Sequence, residues 1–250
     1  MKIISIVNQK GGVGKTTTVI NLAAQFAKQF NVLLLDLDPQ GNATSGLGIN
    51  KNELNLSSYD LFSESSVDIT KLIYKTSVAQ LFILPSNINL AGVEIELVNR
   101  ENREFILSQI LKKVSSDIDF IFIDCPPSLG LLTVNALTVS DSIIIPVQSE
   151  YYALEGLSQL LQTISIIQNT TNPSLEILGV LLTMYDKRTT LGQEVRVEIE
   201  KYFGDKLFKT VIPRNVRLAE APSHGMTIFN YDKWSKGAKA YKNLAKEILK

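Results

Sequence analysis

Asn8-Gln9-Lys10-Gly11-Gly12-Val13-Gly14-Lys15-Thr16-Thr17-Thr18 follows the apolar run Lys2–Val7 and opens a helix-patterned stretch, Lys15–Phe30. Gly11, Gly12 and Gly14 let the backbone curl so that successive N–H groups point inward. With the following helix N-terminus they form a cradle for phosphate anions. Lys15 is placed to bridge the β- and γ-phosphates of a nucleotide, and the Thr16 hydroxyl to ligate Mg²⁺. The usual spacing, G-x-x-x-x-G-K-[ST], calls for glycine at position 9, where this chain has Gln9. Lys10 is a further departure, a second lysine at the loop entrance that bound phosphate does not need in cis. The nucleotide-binding set read from this stretch is Gly11, Gly12, Val13, Gly14, Lys15, Thr16 and Thr17.

Outward from that loop, apolar β-rich runs recur at Val32–Asp36, Leu81–Leu84, Phe120–Asp124, Ser142–Val147, Ile177–Thr183 and Leu207–Ile212. They are continuous rather than alternating, as strands buried on both faces are. Helix-patterned stretches lie between them: Arg100–Val114, Leu129–Val139, Leu154–Gln168, Leu191–Phe203 and Lys236–Leu249. This alternation predicts an α/β fold, a three-layer sandwich with a mostly parallel central sheet flanked by helices, like that of P-loop NTPases. Asn50–Ser77 is more polar and reads as short helices and loops capping strand ends. No repeat or linker divides residues 1–250, so a single domain is expected.

In such sheets ligands sit at the carboxyl ends of the strands. The second strand ends in Asp36-Leu37-Asp38-Pro39-Gln40, whose alternation puts Asp36 and Asp38 on one side. Phe120-Ile121-Phe122-Ile123-Asp124 is an apolar strand ending in aspartate, the Walker B arrangement, with Asp124 holding Mg²⁺ through water. The run after Ile177–Thr183, Met184-Tyr185-Asp186, lacks the lysine of the guanine-reading [NT]-K-x-D motif, which favours ATP over GTP. The lone Cys125 excludes an intramolecular disulfide and a Cys-rich zinc site, and reads as a small buried residue.

With 45% hydrophobic and 20% charged residues the chain is expected to be globular rather than disordered. No apolar run approaches a membrane span of ~18 residues, and the start is too short in apolar residues for a signal peptide, so a cytoplasmic protein is expected. The 25 basic and 25 acidic side chains cancel, but unevenly. Residues 1–184 hold 11 basic and 17 acidic, whereas residues 185–250 hold 14 and 8. A neutral chain divided in this way can still offer a basic face to a polyanion.

The KGGVGKTT form resembles the deviant Walker A motif of the ParA/MinD ATPases, and DLDPQGNATSGLG resembles the Walker A′ segment of ParA/Soj proteins. The last third is similar to the chromosomal ParA/Soj subgroup through LLTMYDKRTTLGQEV, FKTVIPRNVRLAEAPSHG and AKAYKNLAKEIL. The resemblance implies a DNA-partitioning ATPase that closes a nucleotide-sandwich homodimer on ATP and Mg²⁺. Lys10 then reaches the partner's phosphates, Asp38 orients or deprotonates the attacking water, and Asp36 supports Asp38 and the lysines. Adenine would lie between Met184 and the Ile212-Pro213-Arg214-Asn215 turn. Arg188 and Arg217 would bind nonspecific double-stranded DNA, with Lys187 and Arg214 as neighbouring candidates. A ParB/Spo0J-type centromere-binding partner would stimulate hydrolysis, and the protein would be nucleoid-associated without stable membrane association. The single cysteine separates the chain from nitrogenase iron proteins, whose cluster needs two per subunit. Where relatives carry YDPRSRGA, this chain has Tyr231-Asp232-Lys233-Trp234-Ser235-Lys236-Gly237-Ala238, so two arginines become Trp234 and Lys236. Two other readings remain: a MinD-like membrane-cycling ATPase using an amphipathic C-terminal helix, and a metabolic P-loop amidoligase.

Overall fold

Val32-Leu33-Leu34-Leu35 has no polar side chain, so a strand built from it must be covered on both faces. The computed structural model, which describes residues 1–63, 68–150 and 153–250, shows that covering. Leu33 and Leu35 enter one core, Val32 and Leu34 the other. The sheet comprises β1 (Lys2–Ile6), β2 (Val32–Asp36), β3 (Tyr74–Lys75), β4 (Leu81–Leu84), β5 (Phe120–Asp124), β6 (Ser142–Gln148) and β7 (Glu176–Thr183). Its order is β3-β4-β2-β5-β1-β6-β7, parallel throughout except for the β3–β4 edge. Ile6 and Asp36 both pair with Asp124, so the phosphate loop leaves β1 beside the two carboxylate-bearing strand ends.

The helices are α1 (Lys15–Phe26), α2 (Asn42–Gly46), α3 (Val93–Glu96), α4 (Ile106–Leu111), α5 (Leu131–Val139), α6 (Ala153–Asn169), α7 (Thr190–Phe203), α8 (Val216–Glu220), α9 (Ile228–Tyr231) and α10 (Lys236–Ile248). Leu107, Leu137, Leu160 and Ile199 bring α4 to α7 onto one face of the sheet. Leu22, Leu218, Ile228 and Leu244 bring α1 and α8 to α10 onto the other. The result is the expected three-layer α/β sandwich. Buried Tyr241 of α10 spans the second core to α1, its hydroxyl 3.1 Å from Thr18 Oγ1.

Two sequence expectations change, and a third gains a short strand. Leu207–Ile212 is not a strand of the sheet: its pairing is limited to isolated bridges, Val180 to Leu207 and Tyr185 to Pro213, with the Phe208 and Ile212 N–H groups donating to the Val180 and Leu182 carbonyls. Between these bonds, the Lys209 and Thr210 N–H groups donate to the Glu247 carboxylate at 2.7 and 3.0 Å. A ladder cannot form where a side chain takes its donors. The Arg100–Val114 helix shrinks to a 3₁₀ turn at Arg103–Phe105 followed by α4, because Asn102 is left-handed (φ 55°) and breaks the helix entry. Asn50–Ser77 forms 3₁₀ turns at Ser58–Leu61 and Ile69–Leu72 plus β3, while residues 64–67 lie outside the described residues.

Candidate functional site

The loop between β1 and α1 is pinned from three sides. Asn8 Nδ2 donates to the Pro146 carbonyl at 2.7 Å, and Asn8 Oδ1 accepts the Lys10 N–H at 2.9 Å. Gln9 has no need of glycine's conformational freedom, since its φ is not positive, and its amide donates to the Gly156 carbonyl of α6 at 2.7 Å. Thr183 Oγ1 donates to the Val13 carbonyl at 2.8 Å, tying the far side to β7. Gly14 closes the loop in the left-handed region, φ 88°, which a side chain would strain. As N-cap of α1 it supplies no side-chain acceptor, so the first N–H groups of the helix remain available to an anion.

Lys15 is buried, its Nζ donating to the Lys10 carbonyl at 3.1 Å, with no carboxylate in ion-pair distance among the described residues. Burial lowers its pKa, against the opposing charges of Asp124, Cys125 and Asp38. Lys10 behaves differently. Its Nζ pairs with Glu150 Oε2 at 2.6 Å, and the side chain does not line the cleft above its own loop.

Asp36, Asp38 and Asp124 converge at the strand ends, but their roles diverge. Asp36 is fully buried and well bonded: Oδ2 accepts from Thr44 N–H (2.9 Å) and Thr44 Oγ1 (2.7 Å), and Oδ1 from the Asp38 N–H (3.1 Å). Burial still pushes its pKa up to about 6. None of these bonds reaches a lysine, so Asp36 acts by orienting the Asp38 backbone and α2. Asp38 accepts the Gln40 N–H at 2.9 Å through Oδ1, while Oδ2 has no partner among the described residues. Asp124 is fully buried, and neither oxygen has a partner in hydrogen-bond geometry. Burial, then the charge of Asp36, raises its pKa well above the ordinary range, while the nearby Thr16 hydroxyl acts the other way. A buried carboxylate left bare beside a threonine hydroxyl fits a hard divalent cation. Cys125 is buried with its pKa pushed up to about 12 by that burial, an inert thiol.

A cleft of about 570 Å³ opens over these groups, lined by Gly11, Gly12, Lys15, Thr16 and Asp38. It is also lined by Gln40, Asn42, Ser45, Pro222 and Ser223, which the sequence reading did not single out. The latter two arrive because Gly225 packs on Gly48; a Cβ on Gly225 would lie 2.6 Å from Gly48 Cα. Both glycines have positive φ, the signal that DLDPQGNATSGLG and APSHG carry in their terminal glycines. An adjoining pocket of about 390 Å³ shares Gly14, Thr17 and Met184 and brings in Pro213, Arg214 and Asn215. Leu218, Ala219 and Tyr241 complete its wall. Met184 holds φ 49°, a strained conformation for an unbranched apolar residue and one that turns the chain at the pocket mouth. Asn215 Oδ1 is buried there with no hydrogen-bond partner.

The basic face begins behind that pocket. Tyr185, Lys187, Arg188, Arg214 and Lys236 line a trough of about 580 Å³, continued by one of about 480 Å³ with Lys209, Lys236 and Lys239. Arg188 is forked onto Asp186, Nε–Oδ1 3.0 Å and Nη2–Oδ2 2.7 Å, which holds the Asp186 carboxyl well below its usual range. Arg217 is not in the trough; it sits on α8, 2.8 Å from Glu220 Oε2 and 3.7 Å from Asp232 Oδ2. Both candidate arginines are therefore already paired, whereas Lys187, Arg214, Lys236, Lys209 and Lys239 form no ion pair among the described residues.

Comparison with known proteins agrees with the fold. Residues 1–177 match the AAA domain family AAA_31. The chain is 58% identical over 248 residues to the sporulation initiation inhibitor protein Soj of Bacillus subtilis, covering 99% of this chain and 98% of that protein. It is 50% identical to the chromosome-partitioning ATPase Soj of Treponema pallidum, covering 99% and 97% respectively. Among solved structures, cobyrinic acid a,c-diamide synthase from Mycobacterium smegmatis with bound ADP and magnesium superposes with a TM-score of 0.87 at 39% identity, covering 100% of this chain and 94% of that one. The chain belongs to the Soj/ParA family of chromosome-partitioning ATPases.

Proposed function

We propose that the chain is a DNA-partitioning ATPase in which ATP closes a homodimer, the dimer holds nonspecific duplex DNA, and hydrolysis stimulated by a ParB-type partner releases it. The observation that carries this reading is Lys10. Its ammonium is held by Glu150 outside its own cleft, so the group is at the loop entrance yet unused by its own phosphate cradle. A lysine so placed is free to serve the phosphates of a second protomer, where added positive charge stabilises phosphoryl transfer.

Within one protomer, Lys15 and the N–H groups around Gly11–Thr17 would bind the triphosphate, and the wall of Met184, Pro213 and Asn215 would take the base. The unfilled Asn215 acceptor suits adenine, which offers an amino donor where guanine has a carbonyl oxygen. Thr16 and Asp124 would hold Mg²⁺, which supplies charge neutralisation to the phosphate oxygens. Asp38 lines the cleft with Oδ2 unpaired and would orient or accept a proton from the attacking water; Asp36 fixes the Asp38 backbone. The paired arginines Arg188 and Arg217 would exchange Asp186 and Glu220 for DNA phosphates. Two copies of each per dimer predict a slope of log K against log salt near about −3.6.

α10 weakens the membrane-cycling alternative, because its apolar residues Tyr241, Leu244 and Ala245 are buried against the core. No helix among the described residues is long and apolar enough to cross a membrane. The name of the Mycobacterium smegmatis structure points to small-molecule amide formation, a reaction that would need a second substrate. DNA binding measured with and without ATP, alongside particle size, tests the proposal. Wild type should bind DNA as an ATP-dependent dimer, Asp38→Ala should persist in that state, and Arg217→Glu should dimerise without binding. DNA binding indifferent to nucleotide, or a monomeric Asp38→Ala protein in saturating ATP, would overturn it.

A further inference from the structure

Trp234, the single tryptophan of the chain, is 75% exposed. It is nonetheless precisely seated by its backbone: the Trp234 N–H donates to Asp232 Oδ1 at 3.1 Å, and Ser235 caps α10 by accepting the Ala238 N–H at 3.1 Å. The other oxygen of Asp232 lies 3.7 Å from Arg217 Nε, so one carboxylate links the tryptophan to the arginine of α8. Gly237 lets the two elements close, since a Cβ there would lie 2.6 Å from Leu218 Cγ. Arg217 and Trp234 thus belong to one rigid corner.

Two lysines flank the ring in sequence, Lys233 and Lys236, while Arg217 is met by Glu220 and Asp232. Lys233 Nζ sits 5.4 Å from the indole centroid, and Lys236, two residues on, lines both basic troughs. Trp234 is thus tied through Asp232 to Arg217 and followed two residues on by a lysine of the troughs. A lipid or apolar protein partner would call for a broad apolar patch, but among the described residues of 214–220 and 231–237 only Val216 joins Trp234 as an exposed large hydrophobic. Nucleic acid supplies both features at once, phosphates for the cations and π-faces for the indole.

Resting on the DNA-binding reading above, we propose that Trp234 stacks on a nucleobase of the bound DNA, adding an uncharged base contact to a surface otherwise made of phosphate contacts. Stacking requires an exposed base face, and opening a duplex step has a cost, so the contact favours DNA with unpaired or easily unstacked positions.

The test uses the full chain with a non-hydrolysable ATP analogue and end-labelled duplexes with and without a short unpaired bubble. Label anisotropy reports DNA binding, and emission from the sole tryptophan reports the indole. Trp234 emission should be quenched as anisotropy saturates, and unchanged by the analogue alone. Trp234→Ala should weaken bubble-duplex binding about tenfold with an unaltered salt slope, and Trp234→Phe should restore most of it. Saturating anisotropy with unchanged emission, or equal affinity for Trp234→Ala, would overturn the stacking role while leaving DNA binding intact. Emission that responds to phosphatidylserine vesicles and not to DNA would assign the indole to a membrane and overturn it also. Anisotropy that never rises would defeat the DNA reading and stacking together.

Discussion

Replacing Glu150 by glutamine removes the carboxylate that holds Lys10 in the free protomer, and its effect on dimerisation can be worked from the pair itself. Lys10 Nζ and Glu150 Oε2 lie 2.6 Å apart, with the two side chains 39% and 47% exposed. An ion pair that open to solvent contributes about 0.2–1 kcal/mol. If each Lys10 must leave its own Glu150 to reach across, a dimer breaks two such pairs, about 0.4–2 kcal/mol in all. Glu150→Gln should therefore tighten the ATP-dependent dimer by roughly 2- to 30-fold, given ~1.4 kcal/mol per tenfold. Sedimentation velocity across a concentration series with the ATP analogue reads this directly. The gain should shrink at high salt, where exposed pairs weaken in wild type too. A looser dimer in Glu150→Gln would refute the reasoning, because it would place Glu150 among the groups that support the closed state.

Asp124→Asn should raise the thermal stability of the ligand-free protein by about 1–3 kcal/mol, since it removes a bare buried carboxylate. It should also abolish the extra stabilisation given by Mg²⁺ with ATP; melting in EDTA and in Mg-ATP checks both. Asp36 has its folded pKa raised from 3.8 to about 6, so between those values the native state binds more protons than the unfolded chain. Its contribution is full below the unfolded pKa and is lost as pH rises through the folded one. Relative to Asp36→Ala in urea melts, wild-type stability should fall by up to ~3 kcal/mol from pH 4 to 7, and a relative rise would contradict the shift. Gly225→Ala forces a side chain into positive φ and onto Gly48, and should cost about 1–3 kcal/mol or more in urea unfolding.

Contacts close in sequence were legible; those made at long range were not, except where the family resemblance implied them. The strand Lys2–Ile6, its glycine turn and α1 follow from adjacent residues, and Asp36 and Asp124 were visible as the polar ends of apolar runs. The family resemblance implied that Pro213, Arg214 and Asn215 lie near Met184, and the four line one pocket. Leu207–Ile212 has strand composition, but Glu247, nearly forty residues later, takes its amide hydrogens. Glu150 meets Lys10 across 140 residues, a pairing that no local spacing encodes. The Arg188–Asp186 fork, by contrast, spans two residues and was within reach of a sequence reading that weighed each arginine against its neighbours.

The segment from Ile212 to Gly225 touches three sites in turn. Its first residues wall the pocket around Met184, α8 presents Arg217, and Pro222 and Ser223 border the cleft over Lys15 and Asp38 before Gly225 rests on Gly48. These stations share one short length of backbone, so a nucleotide and a polyanion that both favour one arrangement of it would be coupled through it. Linkage then runs in both directions with the same factor: by however much nucleotide tightens the grip on a polyanion, the polyanion must slow the loss of nucleotide or speed its capture.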